Sequence, residues 1–382
     1  MASPTATRGN YDRLSPHPGR VLPYGCVTRR LLALALLLLP AALGAQTPPR
    51  DTLRILFVGD MNFARSLARD YLFTGHGAEI FAGVRERLRA ADIAVGNLES
   101  ILLERGTESD TTNSRAFAGP QREAIPLLQD AGFDVLGTAN NHAWDFGWAG
   151  LIENVAWLDS ARLAHTGTGP TLDDAWRPVV LHVNGWTVAV FSMTGIFNDK
   201  STRVPGTAAE CCVAWLDTLE ARRRFQWARD SLGADLVTAF VHDGPVEYRA
   251  DPAPAVVLDF RGLVHAGADV VIGHHPHVPQ GMEWVDGKPI VYSLGNFVFR
   301  QHTPWADRGL AAELTVLPDG TRRLALLPVA AGYTPAFLGG ADSARVIAHV
   351  DSSSARIPRE PRLPPPAPRR NLAQPAHRPP VP

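Results

Sequence analysis

Cysteine is scarce in this chain of 382 residues, and the three present (Cys26, Cys211 and Cys212) are too few for a disulfide framework or a thiolate zinc site. Charge of one sign is lacking too, since 37 Lys+Arg against 38 Asp+Glu leave a formal net charge of -1. No basic excess points to nucleic acid, and no acidic excess points to a solvating tail. No apolar run reaches the roughly 20 residues that span a bilayer. No internal repeat is visible, which excludes a solenoid. What the chain does have is apolar mass, with 45% hydrophobic and 20% charged residues, so it is not wholly disordered. Its length allows two domains, although α/β domains often run long as one unit.

The ends differ from the body. Arg29 and Arg30 precede an apolar run from Leu31 to Ala45, which is broken by Pro40 and ends in small residues. That pattern is expected for a secretory signal over 29–45, preceded by an irregular extension over 1–28. The mature protein is then exported and sits in the periplasm or on the cell envelope. Export leaves only Cys211 and Cys212, and neighbouring cysteines strain the backbone when they pair. They are expected to be two half-buried small residues. From Ser353 onward Ser, Pro and Arg dominate around Pro364-Pro365-Pro366, which predicts a disordered tail over 353–382. One folded domain is expected over 46–352.

Within that domain one pattern recurs: a short apolar run stops abruptly at a polar cluster. Ile55–Gly59 is followed by Asp60, and Ile93–Gly96 by Asn97 and Glu99. Val135–Ala139 is followed by Asn140-Asn141-His142, Leu236–Val241 by His242, and Val270–Gly273 by His274-His275-Pro276-His277. Such runs suit strands buried on both faces. Amphipathic stretches alternate with them, at about 80–90, 121–131, 147–164, 214–232 and 255–266. The alternation predicts an α/β fold with a largely parallel core. Asn184-Gly185 and Pro318-Asp319-Gly320 each predict a hairpin, so the sheets should be mixed. Ligands in open α/β sheets bind beyond the carboxyl ends of the strands, so the five clusters are expected to meet on one rim.

The chemistry on offer is carboxylate (Asp60, Glu99), amide (Asn97, Asn141) and imidazole (His142, His242, His275, His277). Oxygen and nitrogen donors without thiolate suit Mn, Fe or Zn. Their number exceeds one tetrahedral site and fits two divalent ions roughly 3.5–4 Å apart, which points to metal-assisted hydrolysis. Pro276 is expected to hold an extended backbone, so that His275 and His277 address one centre. His274 is expected to turn inward, and His76, His165, His182, His265, His302 and His349 are read as bystanders.

Several motifs, in order, resemble the CapA family of poly-γ-glutamate capsule biosynthesis proteins. They are Gly59-Asp60-Met61 through Arg65, Gly96-Asn97-Leu98-Glu99, Ala139–Ala143 with Asp145 and Gly147, and Gly267–Val278. Gln280, Glu283, Gly287–Ile290 and Tyr292–Phe297 extend the likeness, which covers about residues 53–300. The resemblance implies a metallophosphatase-like α/β/β/α sandwich, with two packed mixed sheets flanked by helices. It also implies an exported or membrane-attached protein that acts on or helps assemble an extracellular anionic polymer, for which a membrane-embedded capsule synthase is a candidate partner. The ligand set it implies is Asp60, Asn97 or Glu99, Asn141, His242, His275 and His277, with His142 as the general acid and Asp145 orienting it. A periplasmic phosphoesterase and a non-catalytic polymer-holding subunit are the alternative functions. The chain departs from the related patterns twice. Asn62 stands where calcineurin-type phosphatases carry a histidine, and Asp243 replaces an aromatic residue after His242, where it either repels anions or adds a ligand.

Overall fold

The computed structural model describes residues 50–104, 116–198 and 212–360. The expected extension over 1–28 and signal over 29–45 lie outside the described residues, as does the tail from 361 on. The described strands in the first half of the chain are β1 (Leu53–Met61), β2 (Ile93–Leu98), β3 (Ile101–Leu103), β4 (Ala118–Pro120), β5 (Val135–Gly137), β6 (His165–Thr166), β7 (Val179–Val183) and β8 (Trp186–Thr194). The second half adds β9 (Leu236–His242), β10 (Val270–His274), β11 (Met282–Val285), β12 (Lys288–Val291), β13 (Asn296–Val298), β14 (Arg308–Val316), β15 (Arg322–Ala330) and β16 (Ala336–Phe337).

Two mixed sheets dominate. The first has the order β16-β15-β14-β1-β2-β5-β6, with β13 beside the end of β1. Its β1, β2, β5, β6 and β13 are parallel, and β14 to β16 run antiparallel. The second has the order β11-β12-β10-β9-β8-β7, parallel through its four central strands and antiparallel at both edges. Both predicted hairpins form. Asn184 (φ 53°) and Gly185 (φ 77°) take the left-handed backbone that a tight two-residue turn between β7 and β8 requires.

The alternation of side chains along β1 explains the layering. Ile55 and Phe57 face the second sheet, in a core shared with Val188, Val190, Phe240 and Ile272. Leu56 and Val58 face outward, onto Leu88, Leu128 and Leu158 of the helices on that side. On the far face of the second sheet, Phe191, Val237 and Val271 pack with Phe225, Phe260 and Leu263. The phenyl rings of Phe57 and Phe240 stack across the sheets at 6.1 Å. The architecture is therefore the expected α/β/β/α sandwich. The main helices are Gln121–Ala131, Gly147–Ser160, Thr218–Leu232 and Pro254–Ala266. No helix among the described residues is long and apolar enough to cross a membrane.

Three local expectations change. The helix expected from residue 80 starts at Arg85, after a short turn over Gly77–Glu79. A final helix, Gly340–Ala355, crosses the boundary expected at 353. Its serine-rich end is anchored, because Ser353 is buried, accepts a hydrogen bond from the Gly281 N–H (2.9 Å) and donates to the Ala250 carbonyl (2.8 Å). Cys212 is fully buried in an apolar cluster with Leu151, Val155 and Val213, and it is disulfide-bonded.

Candidate metal centre

The carboxyl ends of β1, β2, β5, β9 and β10 lie side by side, and the site is built there. Strand register does part of the work: Asp60 stands opposite Asn97, and His242 opposite His274. The segment Tyr292–Asn296 then ties the two sheets together. The Leu294 N–H donates to the Gly273 carbonyl, and the Asp60 N–H donates to the Gly295 carbonyl, both at 3.0 Å. This close approach needs glycine at two points. A Cβ on Gly59 would lie 2.1 Å from the Gly295 carbonyl oxygen, and one on Gly273 equally close to that of Tyr292. Each glycine immediately precedes site residues.

Glu99 is the hub. Its Oε1 lies 3.6 Å from His242 Nε2, 3.6 Å from His277 Nε2 and 3.8 Å from His142 Nε2. Two donors on one tetrahedral ion at about 2.0–2.2 Å each sit about 3.4 Å apart, so these separations are those of shared ligands. Glu99 is fully buried, yet neither carboxyl oxygen has a hydrogen-bond partner. A buried polar group left so costs about 1–3 kcal/mol, and more when charged. A cation between Glu99 and the imidazoles removes that cost, so the residues fit a metal ion.

The ligand atoms fall into two overlapping groups. One is Glu99, His242 and His275, and the other is Asp60, Glu99 and His277; within each, the atoms lie within 4.8 Å of one another. His275 and His277 thus lie in separate groups that share Glu99, and the expected extended backbone around Pro276 is corrected. Both take left-handed backbone (φ 97° and 59°), which turns the two rings apart, their centroids 6.0 Å from each other. Such strain in residues with a Cβ is concentrated at functional sites.

Other expected residues surround this hub. Asn97 Nδ2 donates to Asp60 Oδ1 at 2.7 Å and lies 3.0 Å from His242 Nδ1, so its amide nitrogen faces the site. Asn141 presents a buried Oδ1 with no hydrogen-bond partner, as a ligand oxygen would, while its Nδ2 donates to Asn198 Oδ1 (2.8 Å). His142 Nδ1 is 2.6 Å from Asp145 Oδ2, and its ring stacks on Phe117 at 3.8 Å. Asp145 also accepts the Phe117 N–H at 2.8 Å. Asn62 is buried, and its Oδ1 accepts the Ala64 N–H (2.8 Å). Asp243 folds back to accept the Gly244 N–H (2.8 Å). His274 turns inward to the Val58 carbonyl at 3.2 Å. Among the bystanders, His76, His165 and His349 pair locally with Glu79, Asp159 and the Pro279 carbonyl.

Two residues escaped the sequence reading. Asn198 lies 3.1 Å from His142 Nδ1 and donates to Asp145 Oδ1 (3.3 Å). Its place just past β8 repeats the strand-then-polar signal that marked the other five clusters. Asn296 accepts from His277 Nδ1 at 2.9 Å. It lies in the quoted run Tyr292–Phe297, where nothing local marked it as a contact of the site.

Burial pushes the Glu99 carboxyl well above its ordinary value, and the Asp60 charge adds to this. Burial also pushes the His242 imidazole well below its ordinary value, and His274 in the same direction. For Asp60 burial alone would raise the pKa, but the His277 hydrogen bond and the surrounding imidazoles outweigh it and hold the group below the usual carboxylate range. The metal-free centre at neutral pH therefore holds a charged Asp60 and a neutral His242, and burial favours the neutral form of Glu99. A neutral imidazole is ready to ligate, whereas an ion would favour the charged form of Glu99.

A family model described as "Bacterial capsule synthesis protein PGA_cap" matches residues 54–301, and the chain belongs to that family. It is 30% identical over 286 residues to the "PGA biosynthesis protein CapA" of Bacillus subtilis (strain 168), covering 73% of this chain and 72% of that one. The "Capsule biosynthesis protein CapA" of Bacillus anthracis is 29% identical, with 73% and 67% covered. A "Probable polyglutamine synthesis accessory protein" of Mycobacterium tuberculosis is 29% identical over 218 residues, 55% of this chain and 56% of that one. Among solved structures, a hypothetical protein from Thermus thermophilus aligns with a TM-score of 0.42 at 18% identity, covering 72% of this chain and 98% of that one. That likeness is too loose to argue from, and the fold stands on the topology above.

Proposed function

We propose that this protein is an exported capsule-biosynthesis enzyme that cleaves or transfers chains of an anionic polymer, poly-γ-glutamate, with two divalent ions (Mn, Fe or Zn) at the Glu99 hub. One observation carries the reading: a buried carboxylate without hydrogen-bond partners, ringed by three imidazole nitrogens at 3.6–3.8 Å. The relatives' names supply the polymer class. The apolar run over 31–45 supports export, and one folded domain from 46 to the end of the last helix is part of the same reading. A membrane-embedded synthase is the partner it implies.

Asp60, Glu99, Asn141, His242, His275 and His277 would hold the ions. Bound there, divalent ions would supply Lewis-acid polarisation of the scissile carbonyl and neutralise developing charge. The chain's own residues handle the proton. A water, or the amine of an acceptor chain, forms a bond to the γ-carbonyl carbon and gives a proton to His142 Nε2. As the old C–N bond breaks, the departing nitrogen takes that proton from His142 Nε2, which returns to its starting state. The Nδ1–H of His142 stays on Asp145, whose charge stabilises the imidazolium before transfer. Phe117 against the ring fixes its plane.

The test is metal analysis of the mature protein followed by chain-length analysis of poly-γ-glutamate. About two equivalents of metal and shortened polymer, both lost in Glu99→Gln, are expected. Hydrolysis of a phosphate ester with intact polymer moves the function to a phosphoesterase. Bound metal without turnover of either substrate moves it to a holding subunit.

A further inference from the structure

His277 has two ring nitrogens in different surroundings. Its Nε2 faces Glu99 at 3.6 Å, and its Nδ1 faces Asn296 Oδ1 at 2.9 Å and Asp60 Oδ2 at 3.2 Å. Only one neutral tautomer leaves a lone pair on Nε2 toward the hub, namely the one with its proton on Nδ1. Heavy-atom positions alone do not tell an amide nitrogen from its oxygen, so the orientation of Asn296 needs an independent anchor.

The anchor is the Ala306 backbone carbonyl, which can only accept a hydrogen bond. It lies 2.9 Å from Asn296 Nδ2. That fixes the nitrogen end of the Asn296 amide, and so its oxygen must face His277. The oxygen can only accept, so His277 Nδ1 must donate. The same nitrogen donates to Gln301 Oε1 (2.9 Å), and Gln301 Nε2 donates to the Tyr248 phenol oxygen (2.8 Å), so both polar ends of the Gln301 amide are also engaged. Asn296 is fully buried, and in β13 it stands in register with Asp60 on β1. Strand pairing therefore holds the amide rigidly beside the carboxylate.

From this we infer that Asn296, anchored by the Ala306 carbonyl and backed by Gln301 and Tyr248, is the positioning residue that fixes the Nδ1–H tautomer of His277 and so keeps Nε2 available to a metal ion. The inference builds on the reading of His277 as a ligand, but the tautomer itself exists without metal. Asp60 is a second acceptor for the same proton. Once its oxygens are engaged by an ion, Asn296 is left as the principal one. Removal of such an outer partner typically weakens metal binding 10–100-fold.

The experiment uses the full mature chain labelled with ¹⁵N-histidine. Long-range ¹H–¹⁵N correlations are recorded on metal-free protein, and the His277 signals are identified by their loss in His277→Gln. Wild type is expected to show Nδ1 protonated and Nε2 bare. Asn296→Leu, in which Asp60 Oδ2 alone still accepts from Nδ1, should admit a minor fraction of the other tautomer in the metal-free protein and bind Mn²⁺ about 10–100-fold more weakly by titration. Asn296→Asp keeps an acceptor and should restore the wild-type tautomer. Gln301→Leu keeps the carbonyl anchor, leaves the fold intact if Asn296→Leu does not, and should shift the tautomer in the same direction by less. A wild-type tautomer together with unchanged Mn²⁺ affinity in both leucine variants overturns the inference. A fixed tautomer in a protein that binds no metal leaves the inference standing and sinks the metal reading.

Discussion

Glu99→Gln separates the fold from the function of the hub. Burial raises the Glu99 pKa well above its ordinary value, which favours the neutral form of this group in the metal-free protein. Glutamine matches a protonated carboxyl in shape and charge, so the metal-free variant should melt within about 2 °C of wild type, the change expected for roughly 1 kcal/mol in a domain of this size. The metal-bound state differs. There Glu99 supplies one of two carboxylates for as much as +4 of charge, and at an effective dielectric near 20 each unit charge pair 4 Å apart contributes about 4 kcal/mol before desolvation. Recovering even 2.7 kcal/mol of that net makes a hundredfold difference in affinity. At a metal concentration of 100 times the wild-type Kd, wild type gains about 2.7 kcal/mol of stability, while a variant bound a hundredfold more weakly gains about 0.4 kcal/mol. In a thermal melt this corresponds to a metal-induced rise of about 4–5 °C in wild type and under 1 °C in the variant. Scanning fluorimetry with Mn²⁺, Zn²⁺ or Fe²⁺ against a chelated control reads both numbers. Equal metal-induced shifts in the two proteins would refute the placement of Glu99 at the centre, and a metal-free variant melting far below wild type would show that burial does not favour the neutral form.

Three further outcomes follow from particular contacts. His142→Ala should lower the rate of polymer shortening by about 10²–10⁴-fold while Mn²⁺ affinity stays within a few-fold; a parallel loss of both would make His142 a ligand instead. Gly59→Ala puts a methyl group 2.1 Å from the Gly295 carbonyl, and overpacking against backbone should cost about 3 kcal/mol or more, read as a lower urea midpoint. Glu283 is paired with Arg261 by two hydrogen bonds of 2.8 Å and accepts a third from Tyr292, and these outweigh the burial that would raise its carboxyl, leaving it below its ordinary value. Its contribution is therefore present above the unfolded carboxylate pKa and lost as pH falls through the folded one. Glu283→Gln should cost about 1–2 kcal/mol at pH 7 and progressively less as pH falls through the folded carboxyl's pKa, and a deficit that does not change with pH would exclude the linkage.

The alternation of apolar runs with polar clusters made an α/β fold, and the meeting of the clusters on one rim, legible before any coordinates, while the two-sheet sandwich came from the family resemblance. The reason is geometric: parallel strands that share a sheet share the edge where they end, so polar residues just past Val58, Val95 and Val241 are neighbours by construction. Asn198 was legible by the same rule past β8. Less could be read where backbone conformation decides. Proline between two histidines suggested an extended backbone, but His275 and His277 take left-handed φ and fall in two ligand groups that share Glu99. The serine-rich stretch at 353 resembled the start of a tail, because composition does not register that Ser353 Oγ reaches two backbone groups about 70 and 100 residues away in sequence.

Sequence alone determined which donors exist, that they lack sulfur, and that they follow buried strands, because these depend on residue type and spacing along one chain. Only the tertiary structure decided which oxygen is left without a partner, which nitrogen of each imidazole faces it, and which asparagine holds that nitrogen in place. Those choices depend on distances of a few ångströms between segments brought together by two sheets, and no spacing within one segment encodes them.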